Sequence, residues 1–104
     1  MKFINLTPHD IVVVADGKTT IFPKSGTVAR CETIVTRVDT IDGINLYATR
    51  YGNATGLPPM EKDKLFIVSA MVKDKEYMRG DLVSPGNLIR DDKGVVVGCE
   101  GFNI

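Results

Sequence analysis

The 104-residue chain has no tryptophan, one histidine, two cysteines and no excess of either charge. Each shortage removes a class of chemistry. One histidine, His9, and two distant cysteines, Cys31 and Cys99, fit no zinc-ligand spacing. A Ser-His-Asp or Cys-His device would have to use His9, and no nucleophile elbow accompanies it. Neither GxxxxGK[ST] nor GxGxxG occurs, which disfavours a P-loop or dinucleotide fold. Thirteen basic residues balance thirteen acidic ones, so no global field exists to hold a polyanion and non-specific nucleic-acid binding is not expected. No segment approaches the roughly 20 apolar residues that span a bilayer. Met1-Lys2-Phe3-Ile4-Asn5-Leu6 is too short and too soon interrupted for a signal peptide. These absences lead to an expectation of a cytoplasmic, non-enzymatic protein with no metal, no cofactor and no membrane partner.

In a reducing compartment the two cysteines are expected to stay free in preference to a Cys31–Cys99 disulfide, and each sits in an apolar run where a thiol behaves as a small hydrophobe. Asn5-Leu6-Thr7 and Asn53-Ala54-Thr55 match glycosylation sequons, which a cytosolic chain does not use.

The hydrophobic content of 43% and charged content of 25% are those of a globular protein, and the length suits one domain over 1–104. The longest strongly apolar run is Leu65-Phe66-Ile67-Val68-Ser69-Ala70-Met71-Val72. Its bulky first half predicts a strand buried on both faces at the centre of a sheet. Ser69 then caps a short helix near 69–78, where Ala70, Met71, Lys73, Lys75, Glu76 and Met78 are good helix formers. Asp16-Gly17 and Asp42-Gly43 predict tight hairpins, because a type I′ turn needs positive φ at both central residues. A third hairpin is expected around Asp91-Asp92-Lys93-Gly94, and Ser84-Pro85-Gly86-Asn87 reads as a turn.

Alternation over Thr27 to Asp39 points Ala29, Cys31, Thr33 and Val35 inward, with a bulge or a bend needed to repair the register at Val28 and Ile34. Across the Asp42-Gly43 turn, Ile44, Leu46 and Ala48 share one face, and Asn45, Tyr47, Thr49 and Tyr51 the other. Residues 52–64 form a long irregular stretch, either a plain crossover or a functional loop. The tail Glu100 to Ile104 either pairs or frays. The expected fold is mainly β: a small antiparallel sandwich or barrel of about eight short strands with one short helix.

Candidate binding residues lie at strand ends and corners. His9, in the turn Thr7-Pro8-His9-Asp10, either staples that turn or contacts a ligand. Arginine in a strand is ordinarily an exposed rung or ion-pair partner, but several converging would grip a phosphate or carboxylate bidentately. Arg30 and Arg90 flank apolar or small segments and are the first choices. Arg79 and Asp81 follow the helix; Arg79-Gly80-Asp81 as an integrin tripeptide is a coincidence in a cytosolic chain. Ser69 either caps the helix or contacts a ligand. The candidate ligand-binding set is Thr7, His9, Arg30, Ser69, Arg79, Asp81 and Arg90, with no catalytic residues. An acid–base pair would have to come from Asp81, Glu100 or His9, and no spacing asks for one.

Leu6-Thr7-Pro8-His9, Ser25-Gly26-Thr27-Val28-Ala29-Arg30, Ile67-Val68-Ser69-Ala70, Arg79 through Gly86, Leu88-Ile89-Arg90-Asp91 and Gly98-Cys99 together resemble a family of small proteins from bacteriophages, prophages and some bacteria, a family of no settled biochemical function. The resemblance spans most of the chain and implies a phage-type accessory protein acting in the host cytoplasm. The expected function is to bind and sequester a small anionic, nucleotide-like ligand, such as a host immune signalling nucleotide. So small a domain has little interior, so the pocket is expected between subunits of a homo-oligomer. Tyr47 or Tyr51 would stack on a base. The alternative is a protein-interaction module that inhibits a host protein through the tyrosine face, edge strands and the 52–64 loop, or a minor virion component.

Overall fold

The computed structural model describes residues 1–104. In chain order the elements are β1 (Lys2–Asn5), β2 (Ile11–Ala15), β3 (Lys18–Phe22), β4 (Arg30–Ile41), β5 (Ile44–Thr55), β6 (Lys64–Ile67), α1 (Ala70–Lys75), β7 (Leu82–Arg90) and β8 (Val96–Asn103). The local signals form as expected. Asp16 and Gly17 at φ 52° and 74° turn β2 into β3, and Asp42 and Gly43 at φ 51° and 76° turn β4 into β5. Asp91 closes the third hairpin, its Oδ1 accepting from the backbone N–H groups of Lys93 and Val95. Ser69 caps α1 by accepting from the Val72 N–H. The helix is shorter than expected, because the backbone leaves helical geometry at Glu76, φ −104° and ψ 43°, and ends it before Tyr77.

Sheet order departs from the expected antiparallel arrangement. Six strands form one mixed sheet in the order β1-β6-β7-β8-β2-β3, with β1/β6, β6/β7 and β8/β2 parallel. Parallel neighbours need a crossover, and α1 supplies the one between β6 and β7. The sheet curls until the chain after β3 meets β1, through a parallel bridge between Asn5 and Lys24. Phe3, Phe22 and Phe102 pack together across the curl, with ring centroids 5.2–5.5 Å apart. The apolar run is buried as expected, with Phe66, Ile67 and Val68 almost without exposure. Its strand is not central, however. β6 lies beside the edge strand β1, and its burial comes from Leu6, Ala29, Val72 and Leu82 packed around it.

Two further expectations change. Ser84-Pro85-Gly86-Asn87 is no turn but part of β7, with Pro85 opposite Phe102 and Gly86 opposite Gly101. Pairing with β6 ends at Val83, so the missing N–H of Pro85 breaks no bond on that side. The turn-forming residues survive as a kink at Asn87, φ 53°. The tail pairs, since β8 runs to Asn103.

β4 and β5 make a separate two-stranded sheet that stands away from the core. Of the expected inward set, Ala29 is buried and Cys31 half-buried, whereas Thr33 and Val35 are exposed. Irregularities in register occur between Cys31 and Thr33 and between Arg37 and Asp39. The arm explains a radius of gyration of 16.6 Å, where a compact chain of this length has about 13 Å.

β5 returns to the body at Gly56, where φ is +82° and an added Cβ would lie 2.4 Å from the Val28 carbonyl oxygen. Gly56→Ala therefore strains its own backbone and displaces a neighbouring one. We expect it to lower stability by about 2 kcal/mol, read as a shift of the urea midpoint followed by circular dichroism; an unshifted midpoint would show that the arm root yields freely. No helix is long and apolar enough to cross a membrane.

Candidate functional site

The seven residues singled out from the sequence are not gathered into one pocket. Thr7 and His9 stay together at the corner after β1, where the Thr7 hydroxyl lies 2.9 Å from the His9 carbonyl. Thr7 is buried and the His9 residue exposed. Arg79 and Asp81 pair with each other through two bonds of 2.9 and 2.6 Å. Ser69 is occupied as the helix cap. Arg30 is exposed at the root of the arm, opposite Thr55. Backbone bonds from Ala29 to Leu6 and from Leu6 to Ile67 bring the neighbourhoods of Arg30, Thr7 and Ser69 to one corner of the sheet. Arg90 lies at the far end of β7 and donates to the Gly94 carbonyl at 2.9 Å. None of the seven lines any of the three surface concavities.

The largest concavity, about 570 Å³, lies between the arm and α1 and is lined by Tyr51, Met71, Asp74 and Lys75. That volume suits a small-molecule site. Local sequence explains the lining. Val72 is buried and pins α1 to the core, which leaves the flank carrying Met71, Asp74 and Lys75 turned outward. Met71, Asp74 and Lys75 stand at i, i+3 and i+4, the spacing that places side chains on one face of a helix. Tyr51 comes from β5, on the face that also carries Thr49 and Tyr47.

The polar groups of the cleft are complementary in kind. Lys75 makes no ion pair, whereas Lys73 beside it sits 3.6 Å from Asp74 and reaches the Ile104 carbonyl at 3.3 Å. Tyr51 and Met71 are each about two-fifths exposed, at 42% and 41%. An aromatic ring, a thioether, a carboxylate and a free ammonium thus border one opening. The arrangement can stack a flat ring, accept from its amino groups and hold an anion, and it contains no pair of carboxylates for acid–base work. No group of three or more metal-ligating side chains occurs.

Tyr51 is legible in the sequence as a stacking candidate, whereas Met71 and Lys75 read there as helix formers and Asp74 carries no signal. Their common helix face follows from the Ser69 cap, but that the arm root lies over this face is a tertiary fact. Tyr47 sits further out on the arm, its hydroxyl 3.4 Å from the Asn45 amide nitrogen. Of residues 52–64, 52–55 belong to β5 and Lys64 to β6, and 56–63 connect the two with Leu57 packed against the core. No family model, curated protein or solved structure matches the chain.

Proposed function

We propose that the protein is a non-enzymatic, phage-type accessory protein that binds and sequesters a small anionic, nucleotide-like ligand in the host cytoplasm. The observation that carries this reading is the cleft of Tyr51, Met71, Asp74 and Lys75. In it a base stacks on the Tyr51 ring, Met71 covers its edge, Asp74 accepts from an exocyclic amine and Lys75 takes a phosphate. Stacking of a base on an aromatic ring is worth about 1–3 kcal/mol, which is enough to select flat ligands over simple anions. The cleft is formed within one chain, between β5 and α1, and stands open to solvent. This reading moves the binding set from Thr7, His9, Arg30, Ser69, Arg79, Asp81 and Arg90 to the cleft, because the arginine, serine and aspartate groups among them are engaged within the fold or stand apart from it.

Native mass spectrometry of protein purified from a bacterial host, before and after addition of a nucleotide and cyclic-nucleotide mixture, tests the reading. A stoichiometric adduct is expected, and its mass names the ligand. Tyr51→Ala and Lys75→Glu should each weaken retention about tenfold or more, roughly 1.4 kcal/mol, without moving the urea midpoint. Adduct retained by both variants would remove the cleft from the account. A bare wild-type protein under every condition would remove the ligand and favour a second reading, a module that inhibits a host protein. The exposed arm supports that alternative, and a lysate pull-down returning one stoichiometric bacterial partner would establish it.

A further inference from the structure

The arm has a second face, away from the cleft. Residues paired across an antiparallel ladder share a face. The face opposite Tyr51 therefore carries the rows Ile34/Arg50, Thr36/Ala48, Asp39/Leu46 and Ile41/Ile44. Its apolar residues are far from buried: Ile34 is 36% exposed, Leu46 40%, Ile41 53% and Ile44 66%. A two-stranded hairpin is at best marginally stable alone in water, and an apolar patch of several hundred Å² marks a contact surface.

We propose that a second copy of this chain covers this face, the two arms packing antiparallel and face to face about a two-fold axis through the Thr36/Ala48 row. The order of the rows argues for self-association. The middle row has small side chains, which lets two such faces approach. On either side of it lies a row with one large apolar residue and one charge, and the two charges are opposite: Arg50 toward the root, Asp39 toward the tip. The two-fold operation lays each of these rows over the other. Arg50 then meets Asp39 of the second copy, and Ile34 meets its Leu46, each pair twice. The partners lie diagonally, offset by one strand spacing of about 5 Å, which an arginine spans.

Within one chain Arg50 and Asp39 lie about 13 Å apart along the ribbon and form no ion pair. Antiparallel packing also sends the two bodies to opposite ends of the paired arms. A chain with no net charge opposes its own association least. The inference does not rest on the ligand proposed for the cleft, because Tyr51 faces the other way.

Charge reversal tests it. Sedimentation equilibrium of the native chain should give twice 11.4 kDa. Asp39→Arg and Arg50→Asp should each weaken the dimer about tenfold or more, and the combined variant should restore it to within about threefold. Tyr51→Ala should leave the mass unchanged, which separates this inference from the cleft. A native chain that stays monomeric at about 100 µM overturns the proposal. So do single reversals that leave the dimer intact, as edge-to-edge pairing would, and so does a combined variant that remains dissociated.

Discussion

Asn5→Ala is expected to cost about 3 kcal/mol or more of folding free energy, a large share of the total in a domain of this size. Asn5 is 2% exposed. Its amide nitrogen donates to the carbonyls of His9 at 2.8 Å and Phe22 at 2.9 Å. Its Oδ1 accepts from the Thr7 N–H at 2.8 Å and lies 2.6 Å from the Thr7 hydroxyl. That hydroxyl has one proton and divides it between Asn5 and the His9 carbonyl. One side chain thus holds the corner after β1 and joins it to the end of β3. Alanine would leave the buried Thr7 N–H without a partner and take the amide donor from the His9 and Phe22 carbonyls, the first of which keeps the Thr7 hydroxyl. Asn5→Asp would keep the bonds from Thr7 but set a carboxylate against the two carbonyls, so it should not rescue. Urea denaturation followed by circular dichroism measures both. A loss under about 0.5 kcal/mol would mean that water replaces the amide at no cost.

Arg79→Ala should destabilise by about 3–5 kcal/mol, because it strands a buried carboxylate. Asp81 is 4% exposed, and Arg79 meets it with a two-pronged bond while its guanidinium lies 5.9 Å from the centre of the Phe66 ring. The hydrogen bond to Asp81 is the main reason the Arg79 pKa is raised; burial acts the other way and loses. A raised pKa on a base gives stability that is complete below its unfolded pKa and is lost only as the pH climbs past the folded one. That loss falls above the working range, so alkaline pH up to about 10 should leave this contribution intact. Arg79→Lys keeps the charge but not the fork or the flat contact with Phe66, and should recover only part of the loss. The double variant Arg79→Ala/Asp81→Ala should be more stable than Arg79→Ala alone, because no charge is then stranded. Equal stabilities would show that the loss lies in Arg79 packing on Phe66.

The sequence alone suggests other roles for Asn5, Arg79 and Asp81. Asn5 stands there in the N-terminal run and in the sequon Asn5-Leu6-Thr7, with no structural role signalled, yet its amide is enclosed and fully used. Arg79 and Asp81 appeared as separate ligand contacts, yet they satisfy each other. A residue type states which bonds it can make; its partners are set by what the folded chain places beside it. The same limit applies to the arm. Alternation along Ala29, Cys31, Thr33 and Val35 is identical whether the face meets a core or water, and only the first two reach the core.

From the sequence alone followed the turns at Asp16-Gly17, Asp42-Gly43 and Asp91 to Gly94, the Ser69 cap, the burial of Phe66 to Val68 and the mainly β class. These depend on φ preferences, on bonds spanning a few residues and on the hydrophobic pattern. The tertiary structure alone decided that β6 runs parallel to β1 and β7, that Pro85 lies within a strand, that the β4–β5 arm stands off the core and that Tyr51 faces α1. Those features depend on which distant segments exclude water from one another most completely, a property of the whole chain that no local stretch encodes.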